Sequence, residues 1–181
     1  MELGCGAGRL LSDLAATRPD VSFHGVDVSD SLIDFAAATH CGDNLFFRSV
    51  DITNEAFAWT YDFVYSVDVL HHIKPLQPFA EAVRARLAVG RSWLAYEPNV
   101  FNPVVCYQQE SMKRRGLGED HFLPWRDAAS IAAAGFRHGA KRYSLAFPTS
   151  FMPGPRLARA GLVAERVPVV GASLRMRFVA C

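Results

Sequence analysis

The sequence predicts a doubly wound α/β fold, with a mostly parallel sheet and an antiparallel final strand. Three observations carry that expectation. Short apolar runs alternate with helix-period patterns along the chain, as a parallel sheet with crossover helices requires. An apolar stub, Met1-Glu2-Leu3, runs straight into a glycine-rich turn, Gly4-Cys5-Gly6-Ala7-Gly8. Aspartates then close two successive apolar runs, Asp27 after Val21–Val26 and Asp51 after Leu45–Val50.

The elements follow in order. Only three residues precede Gly4, so the first strand is expected to be largely missing, as in a shortened version of a longer chain. Residues 9–18 read as a helix with Leu10, Leu11, Leu14 and Ala15 on one face, stopped by Pro19. Residues 21–26 form a short strand. Ser29 or Asp30 then caps a helix carrying Leu32, Ile33, Phe35 and Ala36, with Gly42 closing it. Residues 45–50 give a third strand. Residues 61–67 give a fourth, nearly all apolar as a strand buried on both faces should be.

Residues 75–88 hold the clearest amphipathic helix, opened by Pro75 and ended by Gly90. Leu76, Phe79, Ala80, Val83 and Leu87 make its stripe. A fifth strand spans 92–97. Residues 98–125 mix Pro, Gly, aromatic and charged residues, and read as an excursion with one helix near 104–115. A short helix at 126–134, a strand at 136–147, a helix at 153–165 and a strand at 173–180 complete the chain. The 181 residues make a single domain.

Composition excludes several classes. Half the residues are hydrophobic, ample for a packed core. Nineteen basic residues face eighteen acidic ones, so no global field draws the chain to nucleic acid or an anionic membrane. The four cysteines, Cys5, Cys41, Cys106 and Cys181, have no ligand or framework spacing, which fits a reducing, cytoplasmic compartment. No apolar stretch approaches the roughly 20 residues that span a bilayer, and no signal peptide is visible.

The chemistry rests on the order of four features: a glycine turn after the first strand, acids ending the second and third, and Ser66 ending the fourth. In an open parallel sheet, ligands bind outside the carboxyl ends of the strands, so all four face one crevice. Glycines at 4, 6 and 8 allow positive φ and close approach of a ligand. A dinucleotide fingerprint would place its third glycine at position 9, which is Arg9. Asp27 is placed to accept both hydroxyls of a ribose, whether from an adenosyl ligand or a nicotinamide dinucleotide. Asp51 is placed to accept from the exocyclic amine of adenine.

Together these segments resemble the class I S-adenosylmethionine-dependent methyltransferase family, whose fold is Rossmann-like. ELGCGAGRL at 2–10 is similar to its first motif, and GVDVSDSLIDFA at 25–36 to its second-strand motif. SVDITNE at 49–55, YDFVYSVDVLHHI at 61–73 and GRSWLAYEPNV at 90–100 match its third, fourth and fifth strands. AAAGF at 132–136 resembles the approach to the sixth. The resemblance implies S-adenosylmethionine as cofactor. By it, Glu2, Gly4, Gly6 and Gly8, with Cys5 among them, would hold the methionyl part. Asp27 would hold the ribose, and Val28, Asp51 and Ile52 would surround the adenine. Ser66 and Val67 would line the floor.

Methyl transfer then needs mainly in-line positioning, with a general base where the acceptor must lose a proton. His71, His72 and Glu97 are the candidate bases, and His121 lies further off in the excursion. Aromatic residues of the loops after strands five and six (Phe101, Tyr107, Phe122, Trp125, Phe147 and Phe151) are expected to wall a small, apolar or aromatic acceptor. Ser66-Val67-Asp68-Val69 is not the Asn/Asp-Pro-Pro-aromatic motif of amino methylation of adenine or glutamine. No Pro-Cys pair supports cytosine chemistry, and no metal is expected. Two alternatives stand: an inactive cofactor-binding or interaction domain of the same fold, and a nicotinamide oxidoreductase.

Overall fold

A computed structural model describes residues 1–54, 59–116, 120–144 and 173–181. Among these the strands are β1 (Glu2–Leu3), β2 (Phe23–Asp27), β3 (Leu45–Ser49), β4 (Tyr61–Val67), β5 (Leu87–Pro98), β6 (Phe136–Ser144) and β7 (Ser173–Ala180). The helices are α1 (Arg9–Thr17), α2 (Asp30–Thr39), α3 (Leu76–Ala85), α4 (Pro103–Arg114) and α5 (Pro124–Ala133), and a single 3-10 turn spans Leu70–His72. One sheet runs β3-β2-β1-β4-β5-β7-β6. The pairs from β3 to β5 are parallel, and β7 is antiparallel to both β5 and β6. The doubly wound, mostly parallel expectation therefore holds, including the antiparallel last strand.

The strand order reverses between β1 and β4. That is where the chain should leave a crevice. β1 has only two residues, yet it is central: Glu2 pairs with Gly25 and Tyr65, and Leu3 with Val26 and Ser66. The ladder also continues past the strand ends. The Cys5 amide donates to the Val26 carbonyl (3.1 Å), that of Val50 to Asp27 (2.8 Å) and that of Asp68 to Tyr96 (2.9 Å). The first two tie the loops after β1 and β3 to β2, and the third ties the loop after β4 to β5.

The core centres on Trp93, which meets Phe79 of α3, Phe136 of β6 and Phe178 of β7 at centroid distances of 6.2, 5.6 and 5.5 Å. Such tilted aromatic packing adds roughly 0.5–1.5 kcal/mol per pair beyond burial. Alternate residues of β7, from Leu174 through Met176 and Phe178 to Ala180, are buried, as one face of a strand requires.

Several boundaries differ from the sequence reading. β2 begins at Phe23 because Val21 closes a turn onto the Arg18 carbonyl. α2 ends at Thr39 with His40 extended, so Gly42 is not its cap. Gly90 does not end α3. It lies within β5 at φ 79°, where pairing jumps from Tyr61–Leu87 to Phe63–Ser92. Leu87 continues the helical stripe in sequence but is buried as the first residue of the strand. His71 and His72 belong to the separate 3-10 turn rather than to α3. The helix expected at 153–165, and Phe147 and Phe151, lie outside the described residues.

Candidate functional site

A cleft of about 560 Å³ opens at the carboxyl ends of β1 to β4, within the range of small-ligand sites. Each strand delivers residues to it: Leu3 at the end of β1 and Gly4 after it, Val26 and Asp27 of β2 with Val28 after them, Val50 to Thr53 after β3, and Asp68 and Val69 after β4. His72, Ile73, Lys74 and the start of α3 close the far side.

The glycine turn is shaped by contacts that a side chain would destroy. Gly4, Gly6 and Gly8 have φ of 65°, 51° and 75°. A Cβ on Gly4 would stand 2.5 Å from Val69 Cγ2, and one on Gly8 2.5 Å from the Phe47 ring. A Cβ on Gly6 would meet nothing within 4 Å. The turn is thus packed against the β4 loop at Gly4 and against β3 at Gly8, but open at Gly6.

Asp27 ties two loops together. Its Oδ2 accepts the Gly6 amide at 2.9 Å and its Oδ1 accepts the Ser29 amide at 3.0 Å. A carboxylate oxygen has a second lone pair, so each keeps a site for a ligand hydroxyl. Ser29 then caps α2 through the Leu32 amide. Val28 is 73% exposed beside it, an apolar side chain left open at the cleft. Asp51 is more occupied: it accepts from the Thr53 amide and hydroxyl and from the Asn54 side chain. These bonds hold its carboxyl below the usual carboxylate range, the Thr53 hydroxyl contributing most.

Gly4, Asp27, Val28, Asp51 and Ile52 are therefore brought together in the cleft, while Glu2, Cys5, Gly6, Gly8, Ser66 and Val67 are not among its lining residues. Glu2 is 4% exposed and receives the Tyr65 hydroxyl at 3.2 Å. Burial is the main reason its carboxyl is pushed up to about 7. Burial likewise raises the Cys5 thiol to about 12. Ser66 is buried and accepts the Trp93 indole N–H at 3.1 Å, so its hydroxyl serves the core. Gly6 and Gly8 act through the shape of the turn.

The three candidate bases separate. His72 lines the cleft. His71 and Glu97 are buried behind it, joined by a 2.8 Å contact from imidazole Nδ1 to carboxylate Oε2. His121 lies on the excursion, its Nδ1 3.0 Å from Gln109 Oε1. Sequence reasoning missed Asp68, Val69 and Lys74 as cleft residues. For Asp68 the signal is conformational: it is the only non-glycine described at positive φ, 54°. Strained backbone of this kind concentrates at ligand sites.

The cleft's chemistry suits a cationic nucleoside. Apolar side chains (Val26, Val28, Val50 and Ile52) can flank a planar base, and three carboxylates (Asp27, Asp51 and Asp68) face it against one lysine. A pyrophosphate would meet those carboxylates unfavourably. Among the described residues no three His, Cys, Asp or Glu side chains group as a metal site, and no helix is long and apolar enough to cross a membrane.

The family model described as a methyltransferase domain matches residues 1–90, the stretch that builds β1 to β4 and the cleft. No curated protein matches the chain in sequence. Solved structures do match in shape. One is the complex between the Haloferax volcanii Trm112 methyltransferase activator and its methyltransferase. It has a TM-score of 0.76 and 18% identity, and the match covers 99% of this chain and 80% of that one. A second is an S-adenosylmethionine-dependent methyltransferase of Mesorhizobium loti, with TM-score 0.72, 15% identity, and 98% and 89% covered. A third is the magnesium protoporphyrin IX methyltransferase of Synechocystis PCC 6803 with bound S-adenosylhomocysteine, with TM-score 0.65, 17% identity, and 99% and 72% covered. At these identities the likeness speaks for the fold, and the family match speaks for the residues that build the cleft. Together they make this chain a member of the class I S-adenosylmethionine-dependent methyltransferase family.

Proposed function

We propose that this methyltransferase acts on a small-molecule acceptor of apolar or aromatic character, which the excursion at 98–125 helps to enclose. The observation that carries this reading is the exposed aromatic pair beyond β5. Phe101, before α4, and Trp125, at the start of α5, lie 5.7 Å apart between ring centroids and are 40% and 62% exposed. Tyr107 of α4 is exposed as well. Phe122, by contrast, is wholly buried in the core and plays no part at the surface. Lys74 of the cleft wall lies 3.6 Å from Asp127 of α5, which ties this aromatic region to the cleft.

S-adenosylmethionine, when bound, supplies a methyl group on a sulfonium with a neutral leaving group. The chain's task is then to orient and exclude water. In this reading Asp27 accepts the ribose hydroxyls, while Val28 and Ile52 flank the base. Asp51 orders the loop that carries Ile52. The Gly4–Gly8 turn brings backbone close to the methionyl end, with Glu2 and Cys5 acting from behind it. Ser66 and Val67 support the floor through the core. His72 is the group placed to take a proton from an acceptor that must lose one.

The test is transfer of labelled methyl from S-adenosylmethionine to a panel of small phenols, amines and carboxylic acids, beside protein and nucleic acid. Small molecules alone are expected to be labelled, and His72→Gln is expected to lower turnover with affinity for S-adenosylhomocysteine retained. Labelling confined to protein or nucleic acid would overturn the reading.

A further inference from the structure

Glu97 is wholly buried at the end of β5 and does not line the cleft. Its carboxylate is nonetheless surrounded by donors from the 3-10 turn and from Val69 immediately before it. Oε1 accepts the amides of Val69 (3.2 Å) and Leu70 (2.8 Å). Oε2 accepts the His71 amide (3.3 Å) and faces His71 Nδ1 at 2.8 Å. Those four contacts use the roughly four lone-pair sites that a carboxylate offers. Glu97 therefore has none left for an acceptor proton. The same network assigns the Nδ1 proton to His71, which donates it.

Two residues positioned by this network, Val69 and His72, line the cleft. Val69 packs on the glycine turn so closely that Gly4 admits no Cβ. Asp68, bonded to the Tyr96 carbonyl, is held at positive φ immediately before it. The His71 ring lies 4.0 Å from the ring of His72, the cleft histidine. One buried carboxylate thus fixes three consecutive amides and, through the His71 ring, supports the His72 side chain.

We propose that Glu97 and His71 are a positioning pair: through Val69 and His72 they set the width and the facing groups of the cofactor cleft. This rests on the methyltransferase reading and goes beyond it, because neither residue lines the cleft. Charge-assisted bonds from a preorganised buried carboxylate resist the loop's own tendency to relax the strained Asp68. Glutamine at 97 keeps the volume but turns one accepting oxygen into a donor. That donor then opposes the amides or the His71 imidazole N–H.

Calorimetry with S-adenosylhomocysteine, well below the melting temperature, tests the pair. Glu97→Gln is expected to weaken binding about tenfold or more while the chain remains folded by circular dichroism. His71→Phe, which keeps the ring volume, is expected to weaken it severalfold. His71→Asn, whose amide can donate from nearly the same place, is expected to restore most of that loss. If Glu97→Gln does not fold, the two His71 variants decide. Wild-type affinity in Glu97→Gln and His71→Phe, with only lowered melting temperatures, would overturn the proposal, as would His71→Asn binding no better than His71→Phe. A wild-type chain that binds no S-adenosylhomocysteine would overturn both the proposal and the reading beneath it.

Discussion

The Asp27 carboxylate receives the Gly6 amide at 2.9 Å, and so joins the loop after β2 to the glycine turn after β1. The bond spans 21 residues in sequence and adds a side-chain bridge to the Cys5–Val26 backbone bond between the same two segments. Its other oxygen holds the Ser29 amide at the head of α2. Asp27→Asn replaces one accepting oxygen with a donor that must oppose an amide. Bonds to a charged group contribute roughly 1.5–3 kcal/mol each. The expected result is a tenfold to hundredfold loss of S-adenosylhomocysteine affinity by calorimetry, with a smaller drop in melting temperature. Unchanged affinity would remove Asp27 from the site.

The three glycines of the turn should rank by what surrounds them. Alanine at positive φ is strained by roughly 1–2 kcal/mol wherever it stands. Gly6→Ala should show little more than that, since nothing lies within 4 Å of its Cβ position. Gly4→Ala adds a 2.5 Å encounter with Val69 and should destabilise well beyond it. Gly8→Ala meets Phe47 and Ala36 and should behave likewise. Val69→Ala in the Gly4→Ala background should recover part of the loss. Denaturant unfolding of the single and double variants checks the order, and equal losses at positions 4 and 6 would contradict it.

Glu2 gives a pH dependence opposite in sign to that of most carboxylates. Burial pushes its carboxyl up from 4.5 to about 7 in the folded chain. Below pH 4.5 it is protonated folded and unfolded alike, and no penalty arises. Between 4.5 and about 7 the folded state holds a proton that the unfolded state releases, so stability falls as pH rises. Above about 7 the penalty levels off, on the order of 3 kcal/mol at 1.36 kcal/mol per pKa unit. Glu2→Gln, which stays neutral, should be progressively more stable than wild type from pH 5 to 8. Parallel stability–pH curves for the two would contradict the burial of Glu2 as an acid.

Ser66 tests the separation of core from cleft. Removing its hydroxyl strands the buried Trp93 indole N–H, at a cost of roughly 1–3 kcal/mol. Because the hydroxyl points to the core, Ser66→Ala should lower the unfolding midpoint and leave S-adenosylhomocysteine affinity within about twofold. A large affinity loss at unchanged stability would return Ser66 to the ligand.

What could be read from the sequence follows from range. The glycine turn, Asp27 and Asp51 sit in local patterns whose backbone consequences are nearly forced, and the alternation of runs fixes the sheet. Ser66 and Glu97 look alike in sequence, as polar residues ending buried strands. Their roles depend on partners 26 residues or more away, Trp93 for one and the Val69–His71 amides for the other. Glu2 reads as a ligand group because it opens the motif, but its pairing with Tyr65 across 63 positions buries it. Gly90 reads as a helix stop because a bulge and a cap both ask glycine for positive φ. Lys74 joins the cleft only through the path of the chain after the 3-10 turn, which no periodicity announces.

The aromatic pair offers a clean division between cofactor and acceptor. Phe101 and Trp125 are not among the residues lining the cleft that carries Asp27 and Ile52. Their rings contact each other, and both remain open to solvent. If they wall the acceptor, truncating one removes apolar contact from that molecule alone. Fully burying an aromatic side chain is worth roughly 1.5–3 kcal/mol, and a partly exposed wall less. Trp125→Ala should then raise the acceptor KM severalfold to about tenfold, with affinity for S-adenosylhomocysteine within about twofold and little change in melting temperature. Phe101→Ala should act in the same direction, and the double variant should lose less than the sum, because each ring supports the other. Steady-state kinetics on the first acceptor found by label transfer decides it: if KM is unmoved while the cofactor affinity falls, the aromatics belong to the cofactor side and the acceptor must enter elsewhere.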